Sequence, residues 1–143
     1  MGVDIDKLES VKSLCGELGF IILTKDVDNF VSRTHVLPAE DPLTKIRVDF
    51  IFSFTPYEDQ AIKRATPISV GNCDVKFATR EDLIIHKILA GRAIDKEDVK
   101  GVIRRNAPKL DASYIQKWLK EFSSVSEGRD LVKEFEVLLR EKD

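Results

Sequence analysis

Four charged residues recur at short intervals in EDLIIHKILAGRAIDKEDVKGVI, residues 81–103: Lys87, Arg92, Asp95 and Asp98, spaced K-x4-R-x2-D-x2-D. Two cations and two carboxylates this close suit the handling of a charged substrate. Lys87 lies one turn from Leu83 and Ile84, beside the apolar stripe they form with Ile88 and Leu89. A lysine there either snorkels along the stripe or reaches into a cleft. In a cleft, its ammonium suits phosphate as a point charge. A fifth residue, Asp49, interrupts IRVDFIFSF. Aspartate is disfavoured in strands. It reads either as a solvated edge residue or as one member of a carboxylate cluster that holds Mg2+ through hard oxygen ligands.

The same residues also have a purely structural reading. Asp95 is a good N-cap for a helix beginning at Lys96, and Asp98 then falls in its first turn, where the helix dipole favours a carboxylate. Arg92 sits near the end of the preceding helix, where a cation is favoured. For Arg92 and Asp95 both readings stand. The remaining candidates carry less. His35 and His86 have no Cys or second His at ligand spacing. Ser123–Ser126 lacks the strand–turn–helix setting of a nucleophile elbow. Gly71 has no phosphate-loop companions, and Trp118 belongs to an apolar helical stripe that reads as core.

These residues must be positioned by the surrounding elements. The segment 7–18 carries Leu8, Val11, Leu14, Cys15 and Leu18 at amphipathic-helix spacing, with Asp6 as its expected N-cap and Gly19 as its end. Phe20–Thr24 reads as a short buried strand and 26–33 as a turn of helix. Thr34–Leu37 reads as extended, and Pro38–Lys45 as a loop. Ile46–Phe54 is the clearest strand, with Ile46, Val48, Phe50, Phe52 and Phe54 on one face and Arg47, Asp49, Ile51 and Ser53 on the other. Thr55-Pro56-Tyr57-Glu58 starts a helix running to about Ala65. Pro67–Val70 and Asp74–Phe77 form a hairpin through Gly71-Asn72. Four helices follow, at 80–91 (capped by Thr79), 96–105, 112–123 (capped by Asp111) and 128–141.

The expected class is therefore α+β: a small mixed sheet flanked by helices, with a helical C-terminal half. With 143 residues the chain suits a single domain, divided into a sheet-containing part at 1–78 and a helical part at 79–143. A net charge of −2 lacks the basic footprint of a general nucleic-acid coat. No run has the length of a membrane span and no signal-peptide layout is visible, so a cytoplasmic location is expected. Cys15 and Cys73 match no metal or redox spacing and are expected as free thiols.

Taken together, IRVDFIF, TPYEDQAIKRA, a hairpin and ATREDLIIHKILAGRAIDKEDV resemble the minimal nucleotidyltransferases, including the AbiEii-type toxin group. The common form is a strand with vDf, a glutamate-bearing helix and asxEDLixxKxxAgRxxDxxDv. The resemblance covers about residues 7–122 and is most specific over Lys87–Asp98. It implies transfer of a nucleoside monophosphate from an NTP to an RNA, a protein hydroxyl or a small acceptor. Two carboxylate-held Mg2+ ions would activate the attacking oxygen and neutralise the leaving pyrophosphate. By resemblance Asp49 is the third metal-binding aspartate, Lys87 contacts triphosphate oxygens, Asp98 organises the site, and Arg92 and Asp95 support it. The toxin members imply an antitoxin partner.

One departure matters. The family places a glycine turn and a strand ending in Asp-x-Asp ahead of the first helix. VDID offers Asp4 and Asp6 as that pair, but only twelve residues separate Asp6 from Gly19 and the helix consumes nearly all of them. Two expectations follow. Either the first strand lies upstream of this chain, or the chain is a degenerate member that binds nucleotide or a protein partner without turnover. Asp49 alone does not hold two Mg2+ ions, so weak or absent activity is expected. A homodimer covering the bare sheet edge is expected as well.

Overall fold

Alternation in Ile46–Phe54 builds the centre of the first of two compact units, Met1–Lys63 and Arg64–Asp143. The computed structural model describes residues 2–126 and 128–141, with only the backbone of Asp4 and Ile5. The chain is α+β, with a helical C-terminal half. The hairpin that follows Lys63 falls in the second unit.

In the first unit the elements run β1 (Gly2–Asp4), α1 (Leu8–Leu18), β2 (Ile21–Ile22), α2 (Val27–Thr34), β3 (Val36–Glu40), β4 (Arg47–Ser53) and α3 (Pro56–Arg64), whose last residue, Arg64, already belongs to the second unit. The sheet order is β1-β4-β3-β2, with β1 parallel to β4 and the other pairs antiparallel. Phe50 and Phe52 turn inward onto Leu37 and Ala39 of β3, Val31 of α2, and Val11 and Cys15 of α1. Each phenylalanine so buried contributes about 1.5–3 kcal/mol. Cys15 and Cys73 are free, and burial pushes the Cys15 thiol up.

Several expectations are corrected here. Pro38, Ala39 and Glu40, read as loop, belong to β3. Proline is tolerated there because of where its missing donor falls. The Phe52 N–H donates to the His35 carbonyl, so the alternating antiparallel ladder turns the polar groups of Pro38, opposite Asp49, away from β4. On that other side Pro38 needs only its carbonyl, which accepts from the Leu23 N–H where β2 has already ended. The expected strand Phe20–Thr24 shrinks to Ile21–Ile22. Asp6 does not cap α1: Lys7 holds the N-cap position and makes no side-chain cap bond, while Asp6 pairs with Lys7 at 3.4 Å. The edge of β4 expected to be bare is covered at Ile51–Ser53 by β1. The Asp4 side chain of the VDID reading lies outside the described residues.

Other local signals form as expected. The capping box at the start of α3 closes in both directions: the Thr55 Oγ1 accepts from the Glu58 N–H at 3.2 Å, and the Glu58 carboxylate accepts from the N–H groups of Thr55 and Phe54 at 3.1 and 3.0 Å.

The second unit opens with an antiparallel hairpin, β5 (Thr66–Val70) and β6 (Cys73–Phe77), whose two-residue turn uses Gly71 at φ +62°. Four helices follow: α4 (Arg80–Ala90), α5 (Ala93–Asn106), α6 (Ala112–Ser123) and α7 (Leu131–Arg140). α4 packs on α5, α6 and α7. The buried stripes supply Ile84, Ile85 and Ile88 from α4, Val99 and Ile103 from α5, Ile115 and Leu119 from α6, and Leu131 and Phe135 from α7. Among the described residues no helix is long and apolar enough to cross a membrane.

Candidate functional site

The helical period places Lys87 on α4 one turn before its end, and Gly91 then reverses the chain into α5 in the left-handed region at φ +68°. This short link brings the four spaced charges into one network. Lys87 Nζ donates to Asp98 Oδ2 at 2.5 Å and to Asp95 Oδ1 at 3.2 Å. Arg92 grips the same Asp95 carboxylate with both prongs, Nε to Oδ2 at 2.6 Å and Nη2 to Oδ1 at 3.1 Å. The fork matches the planar carboxylate and fixes its orientation.

Burial divides the roles. The Asp95 side chain is 1% exposed, whereas Arg92 is 71%, Asp98 47% and Lys87 26% exposed. Asp95 is therefore the buried partner of Lys87 and Asp98 the solvent-facing one. The Arg92 guanidinium and then the Lys87 ammonium hold the Asp95 carboxyl down at about 2, against the opposing effect of its burial. Asp98 first, then Asp95, raise the Lys87 ammonium above its ordinary value, so it stays charged.

Two structural expectations for these residues are corrected. α5 begins at Ala93, so Arg92 occupies the N-cap position, without a side-chain cap bond. Asp95 lies inside the first turn and serves Arg92 and Lys87 instead of the helix start, and Asp98 stands in the second turn. The capping rule failed because it weighs only backbone donors, and a bidentate arginine three residues upstream is a stronger partner for the carboxylate.

Beyond this network, α4 is fixed at both ends, at its start by the expected Thr79 cap together with Tyr114 and Arg64, and at its end by Arg129. At its start Thr79 caps the helix, accepting the Asp82 N–H and donating to Asp82 Oδ2 at 2.5 Å. The Asp82 carboxylate is fully buried and also accepts from the Tyr114 hydroxyl at 2.8 Å and Arg64 Nε at 3.4 Å. Arg64 lies over the Tyr114 ring at 4.0 Å. Burial and the Asp82 carboxylate push the Tyr114 phenol well above its ordinary value. Glu81 beside it accepts the Asp111 N–H at the start of α6.

At the other end of α4, Arg129 Nη1 and Nη2 donate to the Leu89 and Ile88 carbonyls at 3.0 and 2.8 Å. These are carbonyls that a helix C-terminus leaves without partners of its own. Glu134 holds the same guanidinium at 3.1 Å, and Arg129 keeps the Glu134 carboxyl below its ordinary value. No spacing rule points to Tyr114 or Arg129, because their partners lie 32 and 40 residues away.

The packing around Gly91 makes a prediction. A Cβ there would meet Arg129 Nη2 at 2.8 Å, on a backbone at φ +68°. Gly91→Ala is expected to cost about 1–2 kcal/mol from the left-handed conformation alone. The Arg129 cap is expected to loosen with it. Urea unfolding followed by circular dichroism reads the loss, and a change below a few tenths of a kcal/mol would refute this account of the turn.

Asp49 belongs to the first unit. It sits on β4 opposite Pro38, is exposed, and accepts from Arg47 Nε at 3.0 Å. The strand alternation thus puts it on the outer face, as its position in IRVDFIF requires. Among the described residues, no group of three or more His, Cys, Asp or Glu side chains is arranged to hold a metal ion. His86 is exposed, and His35 stacks on Phe54 with centroids 4.1 Å apart.

No family model matches this sequence, and no curated protein matches it.

Proposed function

We propose that this chain is a nucleotidyltransferase-type protein that binds an NTP as its Mg2+ complex, with Lys87 as the phosphate contact. The observation that supports this reading is the convergence of Lys87, Arg92, Asp95 and Asp98 on one network in which Lys87 lies between the buried Asp95 and the half-exposed Asp98. Asp95, gripped by Arg92, orients the Lys87 ammonium. Asp98 neutralises it until a phosphate oxygen takes its place. A half-exposed ion pair gives up little on opening.

By the resemblance alone, Asp49 of the first unit is the carboxylate proposed for the metal. A single carboxylate is a ligand for one Mg2+ ion. It does not fit a resident two-metal centre. RNA, a protein hydroxyl or a small molecule as acceptor, a cytoplasmic location and an antitoxin partner belong to the same proposal through the resemblance.

A second reading is binding without turnover. A third, purely structural reading is that the network, whose two cations and two carboxylates sum to zero charge, braces the junction of α4 and α5 with no ligand at all. In that role Lys87 and Asp98 matter for stability first.

A fluorescent ATP analogue with Mg2+ tests the proposal. Lys87→Met is expected to weaken binding at least about tenfold, and Asp49→Asn to weaken only the Mg2+-dependent part. Asp98→Asn is expected to tighten binding, because the competing counter-ion is gone. Unchanged affinity in both Lys87→Met and Asp49→Asn would remove the nucleotide reading. Transfer of labelled nucleotide by the chain itself would remove the second.

A further inference from the structure

The hairpin β5–β6 is the least protected secondary structure in the second unit. Every residue from Thr66 to Phe77 is exposed. Its register puts Thr66 opposite Phe77, Ile68 opposite Val75 and Val70 opposite Cys73, so these six side chains share one largely apolar face. Pro67 opposite Lys76 and Ser69 opposite Asp74 share the other, where Ser69 Oγ donates to Asp74 at 2.6 Å. A two-stranded ribbon is marginal in water, and a third or fourth strand stabilises it.

The two edges of the ribbon differ. Across a two-residue turn, Val70 and Cys73 form the first hydrogen-bonded pair, and hydrogen-bonded pairs alternate from there. The outward backbone groups are therefore those of Pro67 and Ser69 on β5 and of Asp74 and Lys76 on β6. Proline has no N–H, so Pro67 blunts the β5 edge. The β6 edge presents both N–H and C=O groups at Asp74 and at Lys76.

We propose that the β6 edge is a self-association site, pairing antiparallel with β6 of a second copy about a two-fold axis at Val75. In that register Asp74 faces Lys76 of the second copy, and Lys76 faces its Asp74. Their outward N–H and C=O groups are the ones that exchange backbone hydrogen bonds. Opposite charges thus meet at both symmetric positions on the polar face, and Val75 meets its own copy on the apolar face. Shifting the strand by two residues loses this match. Opposite charges directly across a strand pair stabilise it and like charges destabilise it. The β6 sequence is in this sense complementary to itself, as an isologous interface requires.

Sedimentation velocity on the full chain tests this. The wild-type chain is expected to dimerise. Lys76→Asp and Asp74→Lys each set like charges opposite one another and are expected to weaken the dimer at least about tenfold. The double variant Asp74→Lys with Lys76→Asp restores the match and is expected to restore the dimer. That rescue separates charge pairing from damage to the hairpin, since each altered residue remains in the double variant. A wild-type chain that stays monomeric overturns the proposal. So does a dimer that both single variants leave intact, or a double variant that remains monomeric.

Discussion

Asp82→Ala is expected to destabilise the helical unit by about 3–5 kcal/mol, the loss seen when one partner of a buried charge network is removed. The carboxylate is fully buried and is the common acceptor of Thr79, Tyr114 and Arg64. Its removal leaves the Tyr114 hydroxyl and the Arg64 guanidinium without this acceptor, and it opens the capping arrangement at the start of α4. Against a total stability of about 5–15 kcal/mol, such a loss brings the chain close to unfolding at ordinary temperature. Urea titration followed by circular dichroism measures it. Tyr114→Phe keeps the ring under Arg64 and removes the hydroxyl that donates to Asp82, so it is expected to cost about 1.5–3 kcal/mol, the range for a hydrogen bond to a charged group. An Asp82→Ala variant within about 1 kcal/mol of the wild type would show that Asp82 is only a cap, because that is the usual scale of a cap loss.

The second large effect concerns Asp95 and depends on pH. Its carboxyl is held at about 2, below the ordinary 3.8, chiefly by the Arg92 fork. A carboxyl whose folded value lies below its unfolded value favours the folded state above the unfolded value, and that contribution disappears as pH falls through the folded value. Asp95→Asn is therefore expected to lower Tm substantially, by an amount that is constant above about pH 4 and narrows between about pH 4 and pH 2. Thermal melts of both proteins from neutral pH into acid read the gap. A gap that does not change with pH would show that Asp95 acts through shape alone. A neutral amide cannot hold Lys87 and Arg92 by charge, so the nucleotide affinity proposed for Lys87 is expected to fall with it.

Both effects rest on partners that sequence spacing does not reveal. What the sequence by itself determined is local. Strand periodicity located β4 and put Asp49 on its outer face. The Thr55–Glu58 pair and Thr79 marked the starts of α3 and α4, and Gly71-Asn72 marked the hairpin turn. These signals act within a few residues, through backbone donors and side chains that the local conformation itself brings together.

The errors fall where a distant or stronger partner overrode the local rule. Asp6 has the type and position of a cap, yet the short 3-10 turn Ile5–Lys7 displaces it from the start of α1. Pro38 reads as a strand breaker, yet β3 accepts it because β2 stops before its missing donor is needed. Asp95 reads as a cap, yet Arg92 and Lys87 outcompete the backbone for its carboxylate. The spacing K-x4-R-x2-D-x2-D marked four residues as a set. Only the turn at Gly91, which folds α5 back onto α4, decided that they form one network and that Asp95 is its buried member. The physical reason is reach: helix and strand periods order side chains along one element, whereas burial and charge pairing depend on which second element packs against it.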